Sequence, residues 1–167
     1  MTTLTFKGNP ASTIGDLPEI GEQAPNFSLV ASDLSERSLN DYTGKTIVLN
    51  IFPSLDTGVC ALSVKALNTL AAELTGLQVL HISKDLPFAQ KRFCQAENIN
   101  NSETLSAYRS SFSDDYQLTL EDTPLKGLCA RTVIVIDKEQ KIRYVELVSE
   151  ITQEPNYDQL KTAIEAL

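Results

Sequence analysis

Residues 46–60, TIVLNIFPSLDTGVC, decide the fold of this chain. Thr46–Phe52 is an almost continuous apolar run rich in β-branched residues, which is typical of a strand buried on both faces. Pro53 and the polar residues after it end that strand. From about Val59 onward, apolar residues recur at helical spacing. The segment therefore predicts a central strand that leads through a short turn into a helix, with Cys60 in the first turn of that helix.

Outward from this segment, apolar runs and helical repeats alternate along the chain. Their order predicts an α/β fold in which a central mixed sheet is flanked by helices, and thioredoxin-like folds have this order of elements. Asp85 is expected to cap the second helix, and Gly8-Asn9 to form the turn of an N-terminal β-hairpin. We expect a single domain, 1–167, because domains typically hold roughly 100–200 residues. The predicted elements are, in order, a hairpin of Thr3–Lys7 and Ala11–Ile14, a short apolar segment Asn26–Val30, the strand Thr46–Phe52, a helix to about Gly76, the strand Leu77–Ser83, a helix to about Glu97, the strands Thr132–Asp137 and Lys141–Ser149, and a final helix with Tyr157, Leu160, Ile164 and Leu167 on one face.

The composition is that of an acidic globular protein. Lys and Arg total 14 against 22 Asp and Glu, and the net charge at pH 7 is -8. Nucleic acids and anionic membranes are bound by clustered cations, so this charge argues against both as partners. The N-terminus lacks the basic and apolar regions of a signal peptide, and no apolar run approaches the ~20 residues that span a bilayer. We therefore expect a cytoplasmic protein.

Cys60 has the position that a reactive thiol needs. Ligand sites in open α/β sheets gather at the carboxyl ends of strands, and a helix N-terminus offers free N–H groups with a partial positive charge. Both features favour a thiolate, which is the nucleophilic form of cysteine. Arg131, immediately before the third buried strand, is the best candidate for a second electropositive group. Taken alone, however, Cys60 is equally compatible with a buried structural thiol, and Arg131 with a surface ion pair.

Several motifs resemble one family. Pro53, Thr57 and Cys60 form the P-x-x-x-T-x-x-C motif of peroxiredoxins. The chain as a whole is similar to the thiol peroxidase family, the bacterial branch of atypical two-cysteine peroxiredoxins, and the similarity covers nearly its whole length. The strings that carry it are TFKGNP (5–10), NIFPSLDTGVCALSV (50–64), DLPFAQKRFC (85–94), PLKGLCARTVIVID (124–137) and EITQEPNY (150–157).

The resemblance implies a role for each site residue. Cys60 would be the peroxidatic cysteine and Cys94 the resolving cysteine. Thr57 would hydrogen-bond the thiolate and the attacked peroxide oxygen, Arg131 would stabilise the thiolate and the transition state, and Pro53 would shield the sulfenic acid from water. The implied antioxidant enzyme reduces hydrogen peroxide and organic hydroperoxides to water and alcohols, forms an intramolecular disulfide, and is recycled by thioredoxin. It would be a homodimer and need no metal, haem or flavin cofactor.

A disulfide between Cys60 and Cys94 has a geometric consequence. The two Cα atoms of a disulfide lie roughly 4.4–6.8 Å apart, whereas cysteines within separate helices beside a sheet are expected to lie farther apart. We therefore expect both helix segments to unwind locally during each turnover.

Other interpretations of the thiols and of His81 remain open at this stage. Cys129 stands where the family commonly has alanine, and it is either a small buried side chain or a third redox thiol. A thiol–disulfide oxidoreductase would carry C-x-x-C after the first buried strand, where this chain has T-G-V-C. A peroxide sensor would use the same Cys60 chemistry but pass its oxidation to another protein. His81 lies within an apolar strand and is expected to be a packed core histidine, and no second motif supports a Cys–His hydrolase.

Overall fold

The predicted strands and helices occur in the predicted order, together with further short elements that the sequence does not predict. The computed structural model describes residues 3–167. Met1 and Thr2, the first two residues of the expected domain, lie outside the described residues. The strands are β1 (Thr3–Phe6), β2 (Asn9–Ser12), β3 (Ser28–Ala31), β4 (Glu36–Ser38), β5 (Thr46–Ile51), β6 (Leu77–Ser83), β7 (Glu103–Ser106), β8 (Thr132–Ile136) and β9 (Ile142–Leu147), and the helices are α1 (Gly58–Glu73), α2 (Pro87–Glu97), α3 (Phe112–Asp115) and α4 (Tyr157–Glu165).

A mixed sheet with strand order β4-β3-β7-β6-β5-β8-β9 forms the centre of the fold. Strand β5 pairs in parallel with β6 and antiparallel with β8, and β6 pairs in parallel with β7. The carboxyl ends of β5 and β6 therefore point to the same edge of the sheet, where the chain enters α1 and α2. This arrangement confirms the predicted α/β fold with a central mixed sheet.

Both faces of the sheet are covered by apolar side chains. Ile47, Leu49 and Ile51 of β5 point into a cluster that includes the rings of Phe112 and Tyr116. The intervening side chains of β5 and β8, such as Val48 and Val133, pack instead against α1 and α4 in a cluster with Leu67 and Leu160. Strand β5 is thus buried on both faces, as its sequence predicts. Within residues 3–167, no helix is both long and apolar enough to cross a lipid bilayer.

The N-terminal hairpin is present, but its turn lies one residue earlier than predicted. Phe6 pairs with Asn9, so the two turn residues are Lys7 and Gly8 rather than Gly8 and Asn9. Both have positive φ angles, 51° and 79°. Two-residue hairpin loops favour this left-handed pair because its twist matches that of the strands. The requirement for two positive φ angles therefore sets the turn, and Asn9 becomes the first residue of β2.

Two further details of the prediction are wrong. Helix α2 has Leu86 at its N-cap, with no side-chain hydrogen bond, so Asp85 does not cap it. The carboxylate of Asp85 instead accepts hydrogen bonds from the loop after β5. No strand is predicted at β7 either, because its four residues, ETLS, include a single large apolar side chain, Leu105. Strand β7 forms because β6 and β3 supply partners on both sides of it.

Candidate active site

Cys60 is the third residue of α1, in the helical turn that follows β5. Its side chain is fully buried and packs in an apolar cluster with Phe52, Leu55, Val64 and Ile99. Apolar surroundings alone would make this an inert structural thiol. The polar contacts of its sulfur distinguish Cys60 from such a structural thiol.

Two hydrogen-bond donors approach the sulfur of Cys60. Thr57 Oγ1 lies 2.7 Å from Cys60 Sγ, and Arg131 Nη2 lies 3.1 Å from it. Thr57 Oγ1 also lies 3.1 Å from the carbonyl oxygen of Ser54, and because a hydroxyl has one proton it donates to only one of the two at a time. In both contacts the sulfur is the hydrogen-bond acceptor, and the guanidinium adds a positive charge. This arrangement suits a thiolate.

Arg131 is buried and is held by a main-chain oxygen. It precedes β8, and 2% of its surface is exposed. Its Nε donates to the carbonyl oxygen of Ile151 at 2.7 Å, which aims the guanidinium at Cys60. Its Nη1 is buried without a hydrogen-bond partner among residues 3–167. Buried polar groups are nearly always paired, so this free donor beside the Cys60 sulfur is suited to bind an oxygen atom of a ligand.

The segment that contains Ile151 is attached to the N-terminal hairpin. The amide of Ile151 donates to the carbonyl of Thr5 at 2.9 Å, and the amide of Thr5 donates to the carbonyl of Ser149 at 2.8 Å. Glu150 Oε1 accepts the amide of Gly8 at 2.8 Å. Glu150 Oε2 also accepts the amide of Thr152 at 2.9 Å, and the hydrogen bonds from Thr152 and Gly8 make the largest contributions to lowering the pKa of Glu150 to about 2. The hairpin thus supports the loop that orients Arg131.

Cys94 lies near the C-terminal end of α2 and borders the same apolar cluster as Cys60. It is half-buried, and its Sγ lies 3.7 Å from Thr104 Oγ1. Burial raises the pKa of the Cys94 thiol, and the hydrogen bond with Thr104 only partly opposes this effect. Cys94 and Cys60 are both free thiols in this structure. Two predicted site cysteines therefore lie at one cluster without being bonded.

Pro53 is buried at the bend between β5 and α1, directly after Phe52. It is the first residue of the segment that carries Thr57 and Cys60. The sequence-predicted residues Pro53, Thr57, Cys60 and Arg131 thus all lie at or near the carboxyl end of β5.

Cys129 lies in a different part of the core. It is fully buried in the cluster that contains Ile47 and Leu49, on the face of the sheet opposite α1. Burial raises the pKa of its thiol to about 12. The surroundings of Cys129 are those of a small apolar side chain, which favours the first of the two interpretations above.

His81 is a packed core histidine, as predicted. It is fully buried, with Nδ1 3.0 Å from Asn50 Nδ2 and Nε2 2.7 Å from Ser102 Oγ. Burial lowers its pKa to about 3, so the ring is neutral at physiological pH. It makes no hydrogen bond to a cysteine within the described part of the chain.

Sequence reasoning missed two groups of the site, Asp85 and the carbonyl of Ile151. Asp85 stands within the motif string 85–94, but no local pattern connects it to the loop after β5. A main-chain carbonyl leaves no signal in a sequence at all. Both become visible only when the chain is folded.

Comparison with known proteins gives consistent matches. Residues 19–161 match the family model described as Redoxin. A thiol peroxidase of Corynebacterium glutamicum is 51% identical over 98% of this chain and 99% of its own length, and one of Leptospira interrogans is 54% identical over 94% of each. The crystal structure of a peroxiredoxin-like protein from Aquifex aeolicus superposes with a TM-score of 0.94 at 40% identity, covering 100% of this chain and 98% of that one.

Proposed function

The chain belongs to the thiol peroxidase family of the peroxiredoxins, and we propose that its peroxidase reaction uses Cys60 as the attacking thiol and Cys94 as the resolving thiol. As a thiol peroxidase, it is an antioxidant enzyme that reduces hydroperoxides. The observation that carries the assignment is the convergence of Thr57 Oγ1 and Arg131 Nη2 on the sulfur of Cys60. Among the described cysteines, only Cys60 has a cation and a hydroxyl as neighbours.

In the first step, the Cys60 thiolate attacks one oxygen of the hydroperoxide. The new S–O bond forms as the O–O bond breaks, and the departing oxygen takes a proton and leaves as water or an alcohol. Negative charge develops on the two oxygens during this displacement. Arg131 Nη1, a buried donor with no hydrogen-bond partner in the described part of the chain, is placed to stabilise that charge, while Thr57 orients the attacked oxygen. Pro53, buried at the bend, helps to exclude water from the sulfenic acid that results.

In the second step, the sulfur of Cys94 attacks the sulfenic acid of Cys60. A disulfide forms, and the hydroxyl of the sulfenic acid leaves as water. A dithiol reductant of the thioredoxin type then exchanges with the disulfide, becoming oxidised itself and returning both cysteines to thiols.

The position of each cysteine within its helix supports local unwinding. Cys60 lies in the first turn of α1, and Cys94 in the last turns of α2, where its carbonyl oxygen accepts the amides of Asn98 and Ile99. Helix ends fray more readily than helix centres, so few hydrogen bonds are lost. While α2 is intact, the raised pKa of Cys94 keeps it as a thiol. Unwinding would expose Cys94 to water and so favour its nucleophilic thiolate.

One equivalent of hydroperoxide added to the fully reduced protein tests the pairing. We expect a single disulfide, Cys60–Cys94, with Cys129 remaining a free thiol that is alkylated only after unfolding, because it is fully buried. Peptide mapping of the alkylated protein measures all three thiols at once. A bridge that includes Cys129, or a Cys60 thiol that survives the peroxide, would contradict the mechanism.

Hydrogen exchange of the reduced and disulfide forms tests the unwinding. We expect faster exchange of the amides around Cys60 and Cys94 in the disulfide form, because both helix ends lose their hydrogen bonds. The amides of Thr132–Ile136, in the core strand β8, serve as the internal control and should exchange equally in both forms. Equal protection around the two cysteines in both forms would argue against unwinding.

Three further properties complete the proposal. The protein acts in the cytosol, a reducing compartment in which its three cysteines stay free thiols and a thioredoxin-type reductant is present. It forms a homodimer, which would cover exposed apolar side chains such as Leu86 and Phe88 at the start of α2. The chain is a single domain, because one sheet carries both cysteine-bearing helices.

A further inference from the structure

Asp85 lies between β6 and α2, and its carboxylate binds the loop that leads to Cys60. Asp85 Oδ1 accepts from Ser54 Oγ at 2.7 Å, and Oδ2 accepts from the amide of Leu55 at 2.8 Å. Ser54 in turn accepts, at its carbonyl oxygen, the hydroxyl of Thr57 at 3.1 Å. Thr57 is the residue that contacts the sulfur of Cys60. Asp85 therefore holds the residue whose carbonyl oxygen shares the Thr57 hydroxyl with the sulfur of Cys60.

The same carboxylate is connected to the helix of the other cysteine. Asp85 Oδ2 accepts from Ser83 Oγ at 2.6 Å, and Ser83 Oγ accepts from Gln90 Nε2 at 3.2 Å. Gln90 is fully buried and donates also to the carbonyl of Leu105 at 3.0 Å. It lies one helical turn before Cys94 in α2, so its side chain fixes the helix close to the resolving thiol.

We propose that Asp85 is a positioning residue of the peroxidase reaction, which holds the Cys60 loop and the Cys94 helix together in the arrangement that reacts with peroxide. This inference rests on the proposed roles of Cys60 and Cys94. Asp85 touches neither sulfur, and it acts through Ser54 and Thr57 on one side and through Ser83 and Gln90 on the other.

The two chemical steps make opposite demands on this connection. Attack on peroxide requires the Thr57 hydroxyl and the first turn of α1 to be in place, whereas disulfide formation requires the two helix ends to leave their positions. Hydrogen bonds to a charged carboxylate are among the stronger ones in proteins. Those to Asp85 therefore favour the peroxide-reactive form and delay the disulfide. The delay also gives a second hydroperoxide time to oxidise the sulfenic acid to a sulfinic acid, releasing water or alcohol.

Asp85→Asn, which keeps the size of the side chain and removes its charge, tests the proposal. The reduced protein is mixed with hydroperoxide, quenched at intervals with an alkylating reagent, and analysed by mass spectrometry for thiol, sulfenic acid, disulfide and sulfinic acid at Cys60. We expect the rate constant of Cys60 oxidation to fall roughly tenfold, in line with the loss of a hydrogen bond to a charged group. Disulfide formation should proceed at an unchanged or higher rate, and the sulfinic fraction at a given peroxide excess should fall.

Two companion variants make the result decisive. Ser54→Ala removes the hydrogen bond from Ser54 Oγ to Asp85. As with Asp85→Asn, it should slow Cys60 oxidation and leave disulfide formation unchanged or faster, but by smaller factors. It tests the proposal even if Asp85→Asn folds poorly. Asp33→Asn is the matched control, since Asp33 also accepts an amide and a serine hydroxyl, from Ser35, in the exposed turn between β3 and β4. It should behave as wild type.

The ratio of the rate constant of Cys60 oxidation to that of disulfide formation distinguishes a positioning role from a general effect on stability. If Asp85→Asn and Ser54→Ala both keep the ratio found in Asp33→Asn, the inference is wrong, whatever happens to activity or melting temperature. If the wild-type protein shows no oxidation of Cys60 at all, the proposed function itself fails, and this inference fails with it.

Discussion

Replacing Cys60 by serine is expected to abolish peroxide reduction completely. Serine has nearly the same size and keeps the contacts of Thr57 and Arg131, but its hydroxyl is not ionised near pH 7 and is a poor nucleophile toward an O–O bond. Cys94→Ser should behave differently, because it leaves the first step intact. It should oxidise once to a sulfenic acid on Cys60 and then fail to turn over with thioredoxin.

Peroxide consumption coupled to thioredoxin, thioredoxin reductase and NADPH measures both variants in one assay. Cys129→Ser is the matched control, since it removes a cysteine that is buried on the opposite face of the sheet, and it should retain wild-type turnover. Full activity of Cys60→Ser would overturn the assignment of the attacking thiol. Full turnover of Cys94→Ser would instead show that an external thiol resolves the sulfenic acid.

Replacing Arg131 by methionine should lower kcat/KM for hydroperoxide by about 10²–10³, the loss found when one preorganised donor to a developing charge is removed. Methionine fills much of the buried volume, but it lacks the charge near Cys60 Sγ and the Nη1 donor, which finds no acceptor among residues 3–167. Arg131→Lys should recover only part of the loss. An ammonium cannot donate to the Ile151 carbonyl and to the sulfur with the fixed geometry of a guanidinium.

Arg109→Met provides the control for Arg131. Arg109 is exposed and pairs with Glu36 at 3.1 Å rather than with either cysteine, so its loss should leave kcat/KM unchanged. Circular dichroism establishes that each variant is folded before the kinetics are compared. A folded Arg131→Met protein with wild-type kcat/KM would remove Arg131 from the mechanism.

The parts of the fold that the sequence predicts are those in which one local pattern decides the outcome. The short apolar run Thr46–Phe52, rich in β-branched residues, is typical of a strand buried on both faces, and β5 is found over Thr46–Ile51. The motif of Pro53, Thr57 and Cys60 also lies within a single segment. The resemblance to thiol peroxidases is therefore readable directly, and the comparisons confirm it.

The parts that escape prediction depend on contacts between distant segments. β7 has too little apolar sequence to indicate a strand, and it exists because β6 and β3 lie on either side. Asp85 has the residue type and position of a helix cap, yet its carboxylate is occupied by Ser54 and Leu55, about thirty residues earlier. A local rule cannot anticipate that competition, since the competing donors are set by the packing of β5 beside β6.

The carbonyl oxygen that holds Arg131 has an evolutionary consequence. An anchor made by a side chain disappears with one nucleotide change, whereas the oxygen of Ile151 is present whatever residue is encoded at that position. Substitutions at position 151 are therefore constrained by packing, because the side chain of Ile151 is buried with Leu4 and Leu120. One apolar residue can replace another there during evolution without loss of the hydrogen bond to Arg131. Insertions or deletions in the hairpin or in this loop, which displace the backbone itself, are the changes that selection should remove.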